Sequence, residues 1–320
     1  MIYNYILPAM THLRYFSPII SKANSKNIKN RIYLSRYNGK YNSVPRHINF
    51  IKKYASDNNV ELTFDKNFSG VTFQIEGDDD KILKSKNETR VSITYMTDFS
   101  LSYKNYIDNV DNVIFPSLYF ANKYNTHTNK NLYFGSPKYD IKIFKKEVLE
   151  KYNLVNNQKK ALIIYPRNRD VNKINLNLIY DYLKKMGYFI IVKSRGKDPA
   201  KNNLRGDAYF EDISWFPHTT MELIEASDLI VNFSSTAIKE SIMLEKPVIN
   251  FDIKPFEKPL SELYDFNFCQ NYKTDFSKND IEKSILYIEK NNFNNEFKKA
   301  KDKYLFQRFT CVDKIIKEFS

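Results

Sequence analysis

A chain of 320 residues with 50 Lys and Arg, 37 Asp and Glu and a formal net charge of +13 is long for one core and suits two domains of about 150 residues each. No apolar run reaches the roughly 20 residues that span a bilayer, and the first residues lack the basic start and small-residue cleavage site of a signal peptide. Two cysteines, Cys269 and Cys311, are too few for a disulfide framework and lack metal-ligand spacing. The expectation is a soluble, cytoplasmic, reduced protein whose basic surface faces anionic partners, phosphates or an acidic membrane leaflet. The wealth of Lys, Asn, Ile and Tyr is also what AT-rich coding produces, so charge alone names no partner. Lysines are scattered, and there is no helix-turn-helix pattern, zinc spacing or RNP-like aromatic signature, which argues against nucleic acid.

Short apolar runs alternate with helical patterns from end to end, the mark of α/β architecture with parallel sheets. In the first half, strands are expected near 3–7, 31–34, 61–64, 71–75, 90–95, 112–115 and 131–134. Helices are expected over 12–25 and 46–56, the second entered at Pro45, a residue favoured at a helix start. The acidic run Glu76-Gly77-Asp78-Asp79-Asp80 reads as complementing the dipole of a helix opening with Lys81-Ile82-Leu83-Lys84, rather than as a metal-binding Asp-x-Asp. Gly135-Ser136-Pro137-Lys138-Tyr139-Asp140 follows a strand and precedes a charged helix at 145–152. The domain boundary is placed there, giving 1–136 and 137–320, with the last helix free to pack back on the N-terminal domain. Beyond it, strands are expected at 161–165, 188–192, 208–210, 229–231 and 247–251, and helices at 174–186, 221–226, 278–290 and 295–319. The fold class is α/β, two Rossmann-like doubly wound domains, with the cleft between them as the default ligand site.

The most informative stretch runs from Glu222 to Asp252. Leu229-Ile230-Val231 is a buried-strand run, Phe233-Ser234-Ser235-Thr236 a polar turn, and Ala237 to Leu244 carries apolar residues at helical spacing before a second strand at Pro247-Val248-Ile249-Asn250-Phe251. Where a strand turns into a helix, open backbone N–H groups and the helix dipole favour an anion, typically phosphate. The plainer alternative is that Ser234 or Ser235 merely caps the helix. Glu240 follows Ser235 by five residues, near the ligand end of that helix. An ionised carboxylate there has only acceptor sites and suits a ribose diol.

An acidic residue seven positions before a Pro, after a hydroxyl-rich turn, resembles the donor-site signature of the two-domain GT-B superfamily, which includes nucleotide-sugar 2-epimerases and CDP-glycerol glycerophosphotransferases. The resemblance places the donor diphosphate on Ser234, Ser235 and Thr236 and the ribose on Glu240. Three further segments are similar to the glycerophosphotransferase-like branch in the same order: Gly135 to Asp140, Ala161 to Asp170, and Ile190-Ile191-Val192-Lys193. The chain also departs from that pattern. Pro-Thr-x-Arg reads Pro166-Arg167-Asn168-Arg169, no His-Pro follows Lys193, and the expected His-Gly of the N-terminal domain is replaced by Thr94-Tyr95-Met96-Thr97-Asp98.

Transfer from a nucleotide diphosphate needs the leaving charge stabilised where it develops. Arg169, Lys193 and Arg195, with Arg167, follow strands of the second domain on the side where ligands bind. A general base is expected from His12, in the loop after the first strand, or from Asp98. Together these readings imply a metal-independent, cofactor-free transferase. Its donor is a nucleotide-diphosphate sugar or polyol, and its acceptor a glycan or polyol-phosphate polymer, met by peripheral contact with an anionic membrane surface. The rivals are a UDP-sugar 2-epimerase, a non-catalytic nucleotide-binding member that has lost its base, and a basic nucleic-acid-binding protein.

Overall fold

The run Ile2-Tyr3-Asn4-Tyr5-Ile6-Leu7 is buried at every position after the first, as a strand must be when helices cover both faces of its sheet. It forms β1 in the computed structural model. The structure describes residues 1–34, 47–76, 82–94, 110–123, 130–154, 157–195, 205–212, 219–253, 262–272, 276–305 and 309–320. The chain forms two compact units, Met1–Ile141 with Asp302–Ser320, and Lys142–Lys301.

The first unit contains β1 (Ile2–Leu7), α1 (Leu13–Asn24), β2 (Lys29–Leu34), α2 (Ile48–Asp57), β3 (Val60–Thr63), β4 (Gly70–Ile75), β5 (Glu88–Ile93), β6 (Asn112–Ile114), α3 (Leu118–Lys123) and β7 (Lys130–Leu132). Its seven strands run in the order β3-β2-β1-β4-β5-β6-β7, with every pairing parallel. The core is aromatic: Phe73 meets Tyr3 edge-on at 5.2 Å and stacks on Tyr5 at 5.6 Å between ring centroids. Each fully buried ring of this kind contributes about 1.5–3 kcal/mol. Gly70 opens β4 with φ +81, and a Cβ there would stand 2.5 Å from the Ile2 carbonyl oxygen. Only glycine permits that approach of β4 to β1.

The second unit contains α4 (Lys145–Lys151), β8 (Lys160–Ile164), α5 (Leu176–Lys185), β9 (Phe189–Arg195), β10 (Ala208–Asp212), α6 (Thr219–Ala226), β11 (Leu229–Asn232), α7 (Ile238–Met243), β12 (Val248–Phe251), β13 (Cys269–Tyr272), α8 (Lys278–Lys290) and α9 (Asn294–Ala300). Its parallel sheet has the order β10-β9-β8-β11-β12-β13. Counted from its own first strand, that is the doubly wound order 3-2-1-4-5-6, which the first unit repeats with one more strand.

Helix ends recur. After α1, α4, α5 and α7, a 6→1 bond closes the last turn: Ile28 N to Ala23 O at 3.0 Å, Leu154 N to Leu149 O at 2.8 Å, Tyr188 N to Leu183 O at 3.0 Å and Lys246 N to Ser241 O at 2.9 Å. The residue between, Asn27, Asn153, Gly187 or Glu245, takes the left-handed conformation, as this cap requires. At its N-terminus α8 carries a reciprocal capping box between Ser277 and Asp280.

Beyond the unforeseen short helix α3, the structure departs from the sequence reading in three places. No strand was expected at β13, whose Cys-Gln-Asn-Tyr is barely apolar; it joins the sheet through parallel pairing of Cys269–Tyr272 with Val248–Phe251. The helix expected over 295–319 breaks into α9, a π-helical turn Lys301–Leu305 and α10 (Cys311–Phe319). The chain passes from the second unit to the first at that turn. Finally, residues 82–84 are not helical. Arg90, buried and paired with Glu88 at 2.8 Å, donates instead to the carbonyls of Ile82 and Leu83, so these groups are satisfied outside a helix.

In the first unit, Pro137–Tyr139 forms a single 3-10 turn packed on α1. Asp140 accepts from the N–H groups of Phe309 at 2.6 Å and Val312 at 2.7 Å, anchoring the start of α10. Phe319 at its far end meets Phe73 edge-on.

Candidate functional site

In a 3-2-1-4-5-6 sheet, ligands gather outside the carboxyl ends of the first and fourth strands, where the winding reverses. In the second unit these are β8 and β11. The turn after β11 is held from below by three asparagines. Asn232, Asn250 and Asn271 are paired in register across β11, β12 and β13. The Asn232 amide donates to the Asn250 oxygen at 2.8 Å, and the Asn250 amide donates to the Asn271 oxygen at 2.7 Å. The top of this ladder grips the turn: Ser234 N donates to the Asn250 oxygen at 3.1 Å, and the Asn232 amide reaches Ser235 O at 3.2 Å.

Ser234 stands in the left-handed region at φ 51, a conformation that costs a non-glycine residue about 1–2 kcal/mol. Its hydroxyl lies 3.3 Å from Phe251 O and 3.2 Å from the Asp252 carboxylate, and it accepts from Ile253 N at 3.1 Å. That hydroxyl ties the turn to the end of β12. The sequence reading assigns this hydroxyl to the diphosphate; in the structure its donor is directed at the end of β12. Ser235 differs. It is half-buried and accepts only weakly from Ala237 N, at 3.3 Å, while Thr236 is exposed. Glu240 lies in the first turn of α7, a six-residue helix buried throughout, and is 8 % exposed.

The basic residues separate clearly. Lys193 is buried at 5 % exposure, near the end of β9. The register pairs it with Ile164 of β8, and the β8–β11 pairing of Ile163 with Val231 carries the same row on to Asn232. Lys193, Ile164, Asn232, Asn250 and Asn271 thus form one row across five strands. Arg169 sits in a 3-10 turn with its side chain 68 % exposed, 3.6 Å from Asp170. Asp170 is buried, but at that distance an arginine lying mostly in solvent is held only weakly. Asp170 is also bound by Lys173 at 2.8 Å. The Arg195 backbone pairs with Asp212 in the β9–β10 ladder; its side chain lies outside the described part.

In the first unit the winding reverses between β1 and β4. His12 follows β1 in the 3-10 turn Met10–His12 and is buried at 5 % exposure. Asp98 and the aspartates 78–80 lie outside the described residues. Among the described residues, no three His, Cys, Asp or Glu side chains gather as a metal site would need. Glu76, read from sequence only as part of an acidic run, is instead a buried residue directly after β4, at φ 47 and 4 % exposure. The floor of a hollow of about 810 Å³ at the opposite edge of this sheet belongs to the fold. Its asparagines are bonded in a chain, Tyr5 to Asn30 to Asn24 to the Asn58 carbonyl.

The asparagine ladder was missed in the sequence. Its signal was present, since Asn232 and Asn250 each interrupt an otherwise apolar strand near its carboxyl end.

No known family profile matches the sequence, nor does any curated protein. Solved structures do match. A UDP-GlcNAc 2-epimerase from Neisseria meningitidis, bound to UDP-GlcNAc, superposes with a TM-score of 0.67 at 13 % identity over 100 % of this chain and 99 % of that one. The chain has the GT-B fold. Within it, the wall teichoic acid polymerase TagF, soaked with CDPG, matches with a TM-score of 0.65 at 12 % identity over 99 % and 87 % of the two chains. The glycosyltransferase of kitacinnamycin matches with a TM-score of 0.62 at 8 % identity over 100 % and 99 %. These GT-B neighbours are epimerases and transferases alike, the same two branches that the sequence motifs resemble. Among the described residues, no helix is long and apolar enough to cross a membrane.

Proposed function

We propose that this chain is a metal-independent GT-B transferase that moves a glycosyl or polyol-phosphate group from a nucleotide-diphosphate donor to a glycan or polyol-phosphate acceptor. One observation carries the reading. The turn after β11 is fixed at the reversal point of its sheet by the buried pair Asn232 and Asn250, the inner end of the asparagine ladder, and by a left-handed Ser234, leaving Ser235 and Thr236 on its open side. In this reading Ser235 and Thr236 meet the diphosphate. Lys193, in the same row of the sheet, neutralises developing charge from a site shielded from water, where charge acts most strongly. Glu240 takes the ribose hydroxyls. Arg169 and Arg195 extend the positive field toward the donor, and His12 and Asp98 are the bases offered by the first unit. The chain's +13 charge suits an acceptor at the anionic inner face of a membrane.

The epimerase reading has its own support in the full mutual coverage by a UDP-GlcNAc 2-epimerase. Thermal shift of the full chain against UDP-GlcNAc, CDP-glycerol, UDP and CMP tests both readings. A donor at a hundred times its Kd should stabilise the fold by about 2.7 kcal/mol, and absence of any nucleotide-dependent shift would reject both. Product analysis then separates them: transfer consumes donor only when acceptor is added, whereas epimerisation changes the sugar without one. Glu240→Gln should weaken nucleotide binding about tenfold or more, the worth of a lost hydrogen bond to a charged group. Unchanged affinity would remove Glu240 from the ribose role.

A further inference from the structure

A doubly wound sheet binds its ligands at its carboxyl edge. The hollow of about 810 Å³ in the first unit lies at the other edge, among residues 21–30 and 55–61. Two equivalent turns frame it. Helices α1 and α2 run back to the amino edge, end at Asn24 and Asp57, and lead into the neighbouring parallel strands β2 and β3. Each turn carries a left-handed asparagine, Asn27 at φ 55 or Asn59 at φ 51, directly before a buried aliphatic residue, Ile28 or Val60. Helix ends call for that conformation, and glycine supplies it with less strain.

The floor of the hollow is structural, and its rim is not. Asn30 is buried, accepts from the Tyr5 hydroxyl at 2.8 Å, and donates to Asn24 at 2.7 Å and to the Ile28 carbonyl at 3.1 Å. Asn27, Asn59, Ser21 and Ser56, by contrast, are exposed, and among the described residues their side chains make no hydrogen bond. Charges are cancelled in place, Glu61 by Lys29 at 2.7 Å and Asp57 by Lys53 at 2.8 Å. Ile28, Ala55 and Val60 are the apolar lining residues, all of them buried, and none of the lining is aromatic.

The volume is that of a small-ligand pocket, about 300–1,000 Å³, but the wall lacks the apolar surface that a nucleobase or an acyl chain needs. The partial negative charge at the carboxyl ends of α1 and α2 disfavours phosphate. Uncharged amides and hydroxyls donate and accept at once, which suits a ligand built of hydroxyls. We infer that this hollow is a second binding site, for an uncharged, hydroxyl-rich glycan segment, on the edge of the first unit opposite to the one that faces nucleotide chemistry. The ligand class follows from the lining alone and goes beyond the transferase reading. In a polymer-forming transferase such a site retains the acceptor between turnovers.

Saturation-transfer NMR on the full chain tests it, with maltotriose and triacetylchitotriose as neutral probes and glycerol 3-phosphate as the charged control. Wild type should give signals from a neutral probe that excess UDP or CMP leaves unchanged. The double variant Asn27→Gly/Asn59→Gly removes both rim amides where glycine suits the backbone. It should melt within about 2 °C of wild type or above it and lose the probe signal at least tenfold. Ser56→Trp, at an exposed helical position, should lower the signal as much by filling the hollow, and it decides alone if the double variant melts lower. Three results overturn the inference: no signal from either neutral probe in wild type, signals retained in a folded variant, or a stronger signal from the charged control. Failure of the nucleotide reading would show separately, as no thermal shift with any nucleotide in wild type.

Discussion

Replacing Asn250 by Ala puts the asparagine ladder to its most direct test. Asn250 is fully buried, and its side chain makes three hydrogen bonds: it accepts from Asn232 and from Ser234 N, and it donates to Asn271. The partners fare unequally when it is removed. Asn232 keeps its bond to Ser235 O, and the exposed Asn271 exchanges its lost partner for water. The Ser234 N–H, at a residue 5 % exposed, is left without an acceptor, at a cost of about 1–3 kcal/mol. With the smaller net losses from the other two bonds and the vacated side-chain volume, the total is about 2–4 kcal/mol. Urea unfolding should show that loss in the transition of the second unit. Asn271→Ala, at the exposed end, should cost under about 1 kcal/mol. The nucleotide-dependent thermal shift should fall in Asn250→Ala more than in Asn271→Ala, because only the former loosens the turn. Equal costs for the two variants, or less than about 1 kcal/mol for Asn250→Ala, would refute the claim that the ladder fixes the turn.

Gly70→Ala should destabilise the first unit by about 2–5 kcal/mol, the left-handed penalty plus the overlap of a Cβ with the Ile2 carbonyl. Urea unfolding measures it, and a loss below about 1 kcal/mol would mean that β4 moves off β1 at little cost. Hydrogen bonds from the Ser277 hydroxyl and backbone hold the Asp280 carboxyl below its usual value. Its folded-state pKa is thus depressed relative to the unfolded chain. The cap contributes fully above the unfolded pKa and is lost as pH falls through the folded one. Amide exchange in the first turn of α8 should therefore quicken on acidification, beyond the intrinsic rate change, and Asp280→Asn should abolish that dependence.

Strands were legible in the sequence for a physical reason. In a parallel sheet covered on both faces, segments such as Ala161-Leu162-Ile163-Ile164 and Leu229-Ile230-Val231 stay apolar without alternation. β13 escaped because an edge strand is recruited by backbone pairing, which leaves little trace in side chains. The break after α9 escaped because helical spacing continues across residues that belong to different units. At the candidate site, the position of the turn could be read from Ser234-Ser235-Thr236, but the division of labour within it could not. Ser234 is engaged through Asn250, Phe251 and Asp252, neighbours that only the folded sheet supplies. Arg169 and Lys193 looked alike as basic residues after strands, yet one projects into solvent and the other is buried. Glu76 looked like part of a charged run because a single left-handed residue has no sequence period.

The first unit is built from two stretches of chain, with the whole second unit inserted between Ile141 and Asp302. During synthesis the ribosome delivers β1 through β7 first but withholds α10 until residues 142–301 have been made. The later-born unit therefore has every residue it needs before the earlier one does. Until residues 302–320 emerge, Phe73 waits without Phe319, the Ser117 hydroxyl without the Lys303 carbonyl, and Asp140 without its N–H donors. The unit begun first is the one completed last.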